Sequence, residues 1–506
     1  MSDSNKIQVK TLSDELGVAF GTSGVRGLVK DLTPELCFAF VRSFLQEVCP
    51  CSNKVAVGID LRPSSPEIAK ACLAAIEANG ADTIYCGALP TPALAFYAMQ
   101  NDLPAVMITG SHIPFDRNGI KFYRPDGEIS KADETSIMNG DVSIPTGLAK
   151  QVEQAILPAV SNTAIELFKK RYAALFPTDM LKGKRIGVYE HSSVARDVIK
   201  ELLAQFGAEV ISLERTETFV PIDTEAVSEE DKQKGLDWSK QYNLDAIVST
   251  DGDGDRPLIS DEKGHWLRGD ILGVLCANYL NATHVAAPVN VNTVLELEGK
   301  KQTPARMSLR TKIGSPYVIA GMEQLEKSAL SAGLESFSVV GYEANGGFLV
   351  GSDTQVNNQI LHALPTRDSV LPILIVLAMS HQQKRDISHL TSEFAPRFTA
   401  SDRIKGIPTE TSKQLIADLK ASKAKQAELL DTIAEQSETL EVVSMDETDG
   451  LRMMLNNGDI IHLRPSGNAP ELRCYVESAN QINAIYIARR VLQPSLIKKL
   501  QLRGMY

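Results

Sequence analysis

The sequence predicts an α/β protein: three tandem βαβ-repeat domains with parallel or mixed sheets, then a C-terminal α+β domain, set around a central cleft. Three observations predict it. Short β-branched strands alternate with helical segments three times over. Each repeat ends in a polar, glycine-rich loop, and beyond about residue 395 the alternation gives way to a run of strands flanked by helices.

In the first repeat, expected strands at 55–60, 83–86 and 105–109 bracket expected helices at 66–79 and 92–100. The second has strands at 185–189, 209–213 and 246–250 and a helix near 194–206; the third has strands at 284–289, 307–310 and 338–341 and a helix at 317–332. The C-terminal part begins with a lysine- and alanine-rich helical region at 412–435. Strands at 440–443, 450–455, 460–463 and 472–477 follow, then a helix at 482–491. The expected domains are 1–160, 161–262, 263–394 and 395–506. A chain of 506 residues is too long for one core, which fits several domains.

Composition narrows the class. Hydrophobic residues at 43% and charged residues at 23% describe an ordinary globular protein. The most apolar run, 370–379, is half a bilayer span and contains Pro372, so it reads as a buried helix, not a membrane segment. The first residues, MSDSNK, carry no apolar export signal. Seven cysteines lack metal-ligand spacing and their odd number argues against a disulfide framework, so a cytoplasmic location is expected. A net charge of −11 argues against a nucleic-acid partner, yet leaves room for a phosphorylated small molecule held by local arginines.

The repeats end in TGSHIP (109–114), DGDGDR (251–256) and EANGG (343–347). Ligands of open α/β sheets sit beyond the carboxyl ends of strands, so the three loops are expected to share one cleft. Asp251, Asp253 and Asp255 alternate with glycines that let their carboxylates converge, which suits a hard divalent cation such as Mg²⁺. An EF-hand is excluded because Arg256 holds the sixth position, where a glycine is needed. Without an ion, three like charges would repel one another. Ser111 beside His112 is a weak sign of a hydrolase, since no G-x-S-x-G elbow is present. A serine near a metal can instead carry a phosphoryl group, with Arg117 and Lys121 as nearby cations. Lys121 is also a candidate proton shuttle if its pKa is depressed. Further on, Arg464 and Arg473 flank Ser466, Gly467 and Asn468, an arrangement that suits an anion as well as a plain hairpin loop.

Together these loops resemble the α-D-phosphohexomutase family, whose motifs occur here in family order. FGTSGVRG (20–27) is similar to its N-terminal signature and GIDLRPSS (58–65) to the element that follows. Residues 109–114 resemble the phosphoserine loop, 251–256 the magnesium loop, 343–347 the sugar loop and 464–473 the phosphate-binding loop. The resemblance implies four domains around a central cleft and a phosphoryl group on Ser111. That phosphate and Asp251, Asp253 and Asp255 would hold Mg²⁺. The group would pass to a hexose phosphate, and the resulting hexose 1,6-bisphosphate would return its other phosphate to Ser111. His112, Lys121 and Arg26 would stand near the reacting group. Arg256, Glu343 and Asn345 would contact the substrate, and Arg464, Ser466, Gly467, Asn468 and Arg473 would hold the idle phosphate.

The sequence departs from the family at several places. The serine loop has Gly110 and Ile113 where Ala and Asn are usual, and the sugar loop has Asn345 in place of Ser. Gly347 stands where many members have a histidine, which leaves the second general acid/base open. Ser315 and Pro316 are unusual in the third-domain motif. The expected activity is that of a phosphohexomutase, mannose phosphate first, with the phosphoglucomutase and phosphoglucosamine mutase activities as alternatives. A metal-dependent phosphatase and an inactive sugar-phosphate-binding protein are the other readings. A monomer or homodimer without a membrane partner is expected.

Overall fold

A computed structural model describes residues 5–21, 24–434, 439–466 and 470–493. The chain forms two compact units, Met1–Ala282 with Gly314–Ser392, and Thr283–Ile313 with Glu393–Tyr506.

In the first unit, the apolar strand Lys54–Ile59 runs parallel to Asp82–Ala88 on one side and to Ala105–Ile108 on the other. Ala105–Ile108 is buried at every position, as a strand covered on both faces must be. The helices Ser65–Ala78 and Thr91–Gln100 connect these strands, each with a proline in its first turn, where no backbone donor is lost. The sheet is mixed rather than parallel. Arg117–Arg124 returns antiparallel to Ala105–Ile108, and Val25–Leu28 and Ala19–Phe20 extend that edge.

The second repeat follows the same plan. Arg185–His191 lies between Glu209–Arg215 and Ala246–Thr250, all parallel, and Pro257–Ile259 then folds back antiparallel with Thr250 opposite Pro257. In the third, Val339–Tyr342 turns into Phe348–Val350 with Tyr342 opposite Phe348, and Leu364–Asp368 pairs antiparallel with that return strand. Each predicted functional loop is therefore a hairpin turn at the end of a buried strand. The helix Val370–Gln383 follows, buried throughout 370–379. No helix among the described residues is long and apolar enough to cross a membrane.

In the second unit, His284–Pro288 pairs in parallel with Met307–Thr311. Five antiparallel strands form the C-terminal sheet in the order Phe398–Lys405, Glu471–Ser478, Ile460–Pro465, Leu451–Leu455, Val442–Asp446. Its core joins Leu463, Cys474 and Val476 to Leu415 and Leu419 and to Ile487 of the helix Gln481–Val491. The helical region expected at 412–435 is two helices, Thr409–Ala421 and Lys423–Leu430. Ser422 is extended between them and its side chain caps the second, accepting from Lys425 N; Glu435 lies outside the described residues. The strand Phe398–Lys405 was not expected from the sequence pattern.

Candidate active site

Ser111 lies in the hairpin between Ala105–Ile108 and Arg117–Arg124, fully buried and in the left-handed region at φ 54°. Its amide donates to Thr109 Oγ1 at 2.7 Å. Its Oγ donates to Asp251 Oδ2 at 2.7 Å, across 140 residues of sequence. His112 Nδ1 is farther from that oxygen, at 3.4 Å, and accepts from Arg256 Nη1 at 2.7 Å. Because arginine only donates, the ring proton sits on Nε2. Repulsion from Arg256, then burial and Arg26, holds the imidazole far below its usual pKa. A neutral ring whose Nδ1 is already occupied is no base for Ser111.

The metal loop turns from Ala246–Thr250 into Pro257–Ile259 and buries all three aspartates. Asp251 Oδ1 accepts the amides of Asp255 and Arg256 at 3.1 and 3.2 Å, folding the carboxylate into the turn. Asp253 Oδ2 accepts from Thr91 Oγ1 at 2.8 Å and Lys121 Nζ at 2.7 Å. Asp255 Oδ2 accepts from Lys121 Nζ at 2.8 Å and Arg367 Nε at 3.0 Å. Asp253 Oδ1 and Asp255 Oδ1 are buried with no hydrogen-bond partner. One ligand oxygen from each aspartate lies within 4.8 Å of the others. Three converging carboxylates, two of them with an orphan oxygen, fit a hard divalent cation. Burial, then Asp255 and Asp253, raise the pKa of Asp251. Burial works the same way on Asp255, but Arg367, Lys121 and Arg256 outweigh it and keep that carboxyl ionised.

Lys121 does not have the depressed pKa that a shuttle would need. Burial pulls it down, but Asp253 and Asp255 together outweigh burial and raise it, so the ammonium stays charged. Arg26, partly buried on Val25–Leu28, is lowered to about 10 by desolvation first and then by Arg256 and Arg367, which places it in the same field.

In the sugar loop, Glu343 N donates to Gly347 O at 3.0 Å, closing the turn. Asn345 Oδ1 is consumed within that turn by Gly347 N at 2.9 Å, and Asn345 O accepts from Thr224 Oγ1 at 2.7 Å. Glu343 Oε2 accepts from Arg367 Nη1 at 3.1 Å. Arg367, on Leu364–Asp368, thus ties Glu343 to Asp255, and the sequence pattern gave no sign of it. Ser369 Oγ donates to Gly254 O at 2.7 Å, a second tie from that segment to the metal loop. Beside Thr224, the Glu225 carboxyl is pushed up to about 7 by burial and Asp223, against the pull of Arg256 and Arg268.

In the second unit, Arg464 and Arg473 are directly paired across adjacent antiparallel strands, so both project from one face. Arg464 Nε lies 2.8 Å from Asp449 Oδ2, and Arg473 Nη2 donates to Glu471 Oε2 at 3.4 Å. Asp449 Oδ2 also accepts from Ile313 N at 3.0 Å. Ser466 is buried and its amide donates to Glu471 O at 2.9 Å. Gly467 and Asn468 lie outside the described residues.

Four successive segments match the phosphoglucomutase/phosphomannomutase family: α/β/α domain I over residues 17–140, domain II over 168–264, domain III over 268–398, and the C-terminal domain over 409–492. The chain belongs to that family. It is an intramolecular phosphotransferase, an isomerase of the hexose-phosphate mutase kind. It is 48% identical over 478 residues to a phosphomannomutase of Salmonella muenchen, covering 94% of this chain and 95% of that one. A phosphomannomutase of Sinorhizobium fredii is 43% identical, covering 92% and 95%. Among solved structures, a phosphoglucomutase/phosphomannomutase family protein from Burkholderia thailandensis superposes with a TM-score of 0.68 at 17% identity, covering 95% of this chain and 97% of that one, a likeness of fold.

Proposed function

We propose that this member of the family interconverts hexose 6-phosphate and hexose 1-phosphate, with mannose as the preferred sugar, through a phosphoryl group carried on Ser111. The observation that carries this reading is the 2.7 Å contact of Ser111 Oγ with Asp251, beside the orphan oxygens of Asp253 and Asp255. Asp251, Asp253 and Asp255, with the phosphate on Ser111, would hold Mg²⁺. When bound, the ion supplies positive charge to the oxygens of the transferring group.

This chain's own residues do the rest. In the first transfer the bond from phosphorus to Ser111 Oγ breaks as a bond forms to a sugar hydroxyl oxygen, and the proton that hydroxyl loses ends on Ser111 Oγ, giving a hexose 1,6-bisphosphate. In the second, the bond from the other phosphorus to its sugar oxygen breaks as a bond forms to Ser111 Oγ, and the serine proton ends on the freed sugar oxygen. Arg26, Arg256 and the charged Lys121 stabilise negative charge beside the buried Ser111. Neutral His112 would donate a hydrogen bond from Nε2 to a phosphoryl oxygen. Glu343, steadied by Arg367, accepts hydrogen bonds from sugar hydroxyls, and Arg464, Ser466, Gly467, Asn468 and Arg473 hold the phosphate that is not reacting. The two relatives named above support mannose. Reading one hydroxyl's orientation at C2 is within reach of a site that hydrogen-bonds it. We place the enzyme in the cytoplasm, acting on a small hexose phosphate.

The test is a coupled assay of mannose 1-phosphate against glucose 1-phosphate and glucosamine 1-phosphate with Mg²⁺, run beside Ser111→Ala. Higher kcat/KM for the mannose compound and loss of turnover in the variant are expected. Full turnover by Ser111→Ala would refute the phosphoserine. Equal or higher kcat/KM for glucose or glucosamine would refute the mannose preference.

A further inference from the structure

Arg62 is, with Arg367, the largest fully buried side chain among the described residues, and its guanidinium spends all five of its N–H donors close to Ser111. Nε donates to Asp60 Oδ2 at 3.2 Å. Nη1 donates to the carbonyls of Pro114 and Arg117, both at 2.8 Å. Nη2 donates to the carbonyls of Ser111 at 2.8 Å and Ile113 at 2.5 Å. Four bonds thus converge on the backbone of one hairpin loop, the one that holds Ser111 at positive φ. A non-glycine residue in that region is strained and needs its surroundings to fix it. Asp60 is fixed in turn by Ser65 Oγ at 2.5 Å and by the Arg62 amide at 3.0 Å, and it accepts the Gly110 amide at 3.3 Å.

The guanidinium has two further close neighbours. Gly110 comes so close that a Cβ there would lie 2.5 Å from Arg62 Cζ. Gly110, one of the departures from the family loop, therefore leaves the space the arginine uses. Arg62 Cζ also stands 4.0 Å from the centre of the Phe219 ring, a cation–π contact. Phe219 belongs to the second repeat and abuts the metal loop. A Cβ on Gly252 would lie 3.0 Å from Phe219 Cε2 and 3.0 Å from Ser111 O. Gly110, Arg62, Phe219 and Gly252 thus form a chain of close contacts from the serine loop to the metal loop.

We infer that Arg62, in contact with both Gly110 and Phe219, is the positioning residue that keeps Ser111 in register with Asp251, Asp253 and Asp255 for phosphoryl transfer. This rests on Ser111 being the phosphoryl carrier. Arg62 touches no reacting atom; its effect is on where the serine oxygen stands, so transfer depends on it and sugar binding does not. Lysine at this position keeps the charge but has one nitrogen, and cannot serve four carbonyls and a carboxylate at once.

The test uses the full-length enzyme with MgCl₂ and glucose 1,6-bisphosphate as phosphoryl donor. It compares wild type, Arg62→Lys, Phe219→Leu and the double variant for mutase kcat, KM for hexose 1-phosphate, and the rate at which Ser111 is phosphorylated. Arg62→Lys is expected to lower kcat and the phosphorylation rate together by about ten- to a hundred-fold, the range that misplacing a reacting atom produces, with KM changed by less than about two-fold. Phe219→Leu, which keeps an apolar side chain and loses the ring face, is expected to lower the same two rates with KM again unchanged. The double variant should fall short of the product of the single effects, because both act on one contact. Wild-type kcat and phosphorylation rate in Arg62→Lys, or a change confined to KM, would overturn the inference. If Arg62→Lys fails to fold, Phe219→Leu alone decides by the same criterion. A wild type that takes no phosphate on Ser111 would instead refute the phosphoserine reading, which separates the two failures.

Discussion

Arg367 reaches Glu343 and Asp255 only because residue 347 is a glycine: a Cβ on Gly347 would lie 2.7 Å from both Cγ and Cδ of Arg367. The aliphatic stem of a buried arginine fills the space where a side chain of the sugar loop would otherwise stand. Gly347→Ala should push Arg367 off at least one carboxylate and cost about 1–3 kcal/mol, as overpacking of a filled site does. Chemical denaturation and steady-state kinetics check it. Stability and kcat/KM should both fall, and a variant equal to wild type in both would show that Arg367 has room to move.

The three aspartates predict a stabilising response to Mg²⁺. An ion that binds only the folded state stabilises it by about 2.7 kcal/mol at a hundred times its Kd. Melting temperature should rise with MgCl₂ and not with KCl of equal ionic strength. Asp253→Asn, which removes one of the two orphan oxygens as a charged ligand, should abolish most of the rise. An undiminished rise in that variant would place the ion elsewhere.

Much of this centre is legible in the sequence because its chemistry is locally encoded. Alternating Asp and Gly after a buried strand, and Ser-His at the end of another, mark two loops that the fold brings within one hydrogen bond. What escapes the sequence depends on distant partners. Nothing near Thr91 announces that its hydroxyl will bind Asp253, 162 residues away, and a lone Arg367 before an aspartate carries no local signature. Strand alternation shows βαβ units but not that Arg117–Arg124 or Pro257–Ile259 folds back, since a short buried strand reads alike in either direction. The charged state of Lys121 follows from two carboxylates over 130 residues away, against the expectation from burial alone.

Two buried histidines predict an acid limb of stability. Burial pulls His191, in the first unit, and His462, in the second, down to about 4 from 6.5. Between those values the unfolded chain binds a proton that the folded chain does not, so stability is full above pH 6.5 and falls as pH drops toward 4. The slope is about 1.4 kcal/mol per pH unit for each histidine, and it levels off below the folded pKa. Denaturation midpoints measured from pH 7 to pH 4 should fall less steeply in His462→Gln than in wild type. Parallel curves would show that His462 is not held neutral.

The central claim is that Ser111 is the phosphoryl carrier. Its most direct test is phosphosite mapping of the intact enzyme after incubation with Mg²⁺ and glucose 1,6-bisphosphate. One phosphate per chain, on Ser111 and absent from Ser111→Ala, is the predicted result. A phosphate on an aspartate of the metal loop or on His112, or none on an enzyme that still turns over, would contradict it.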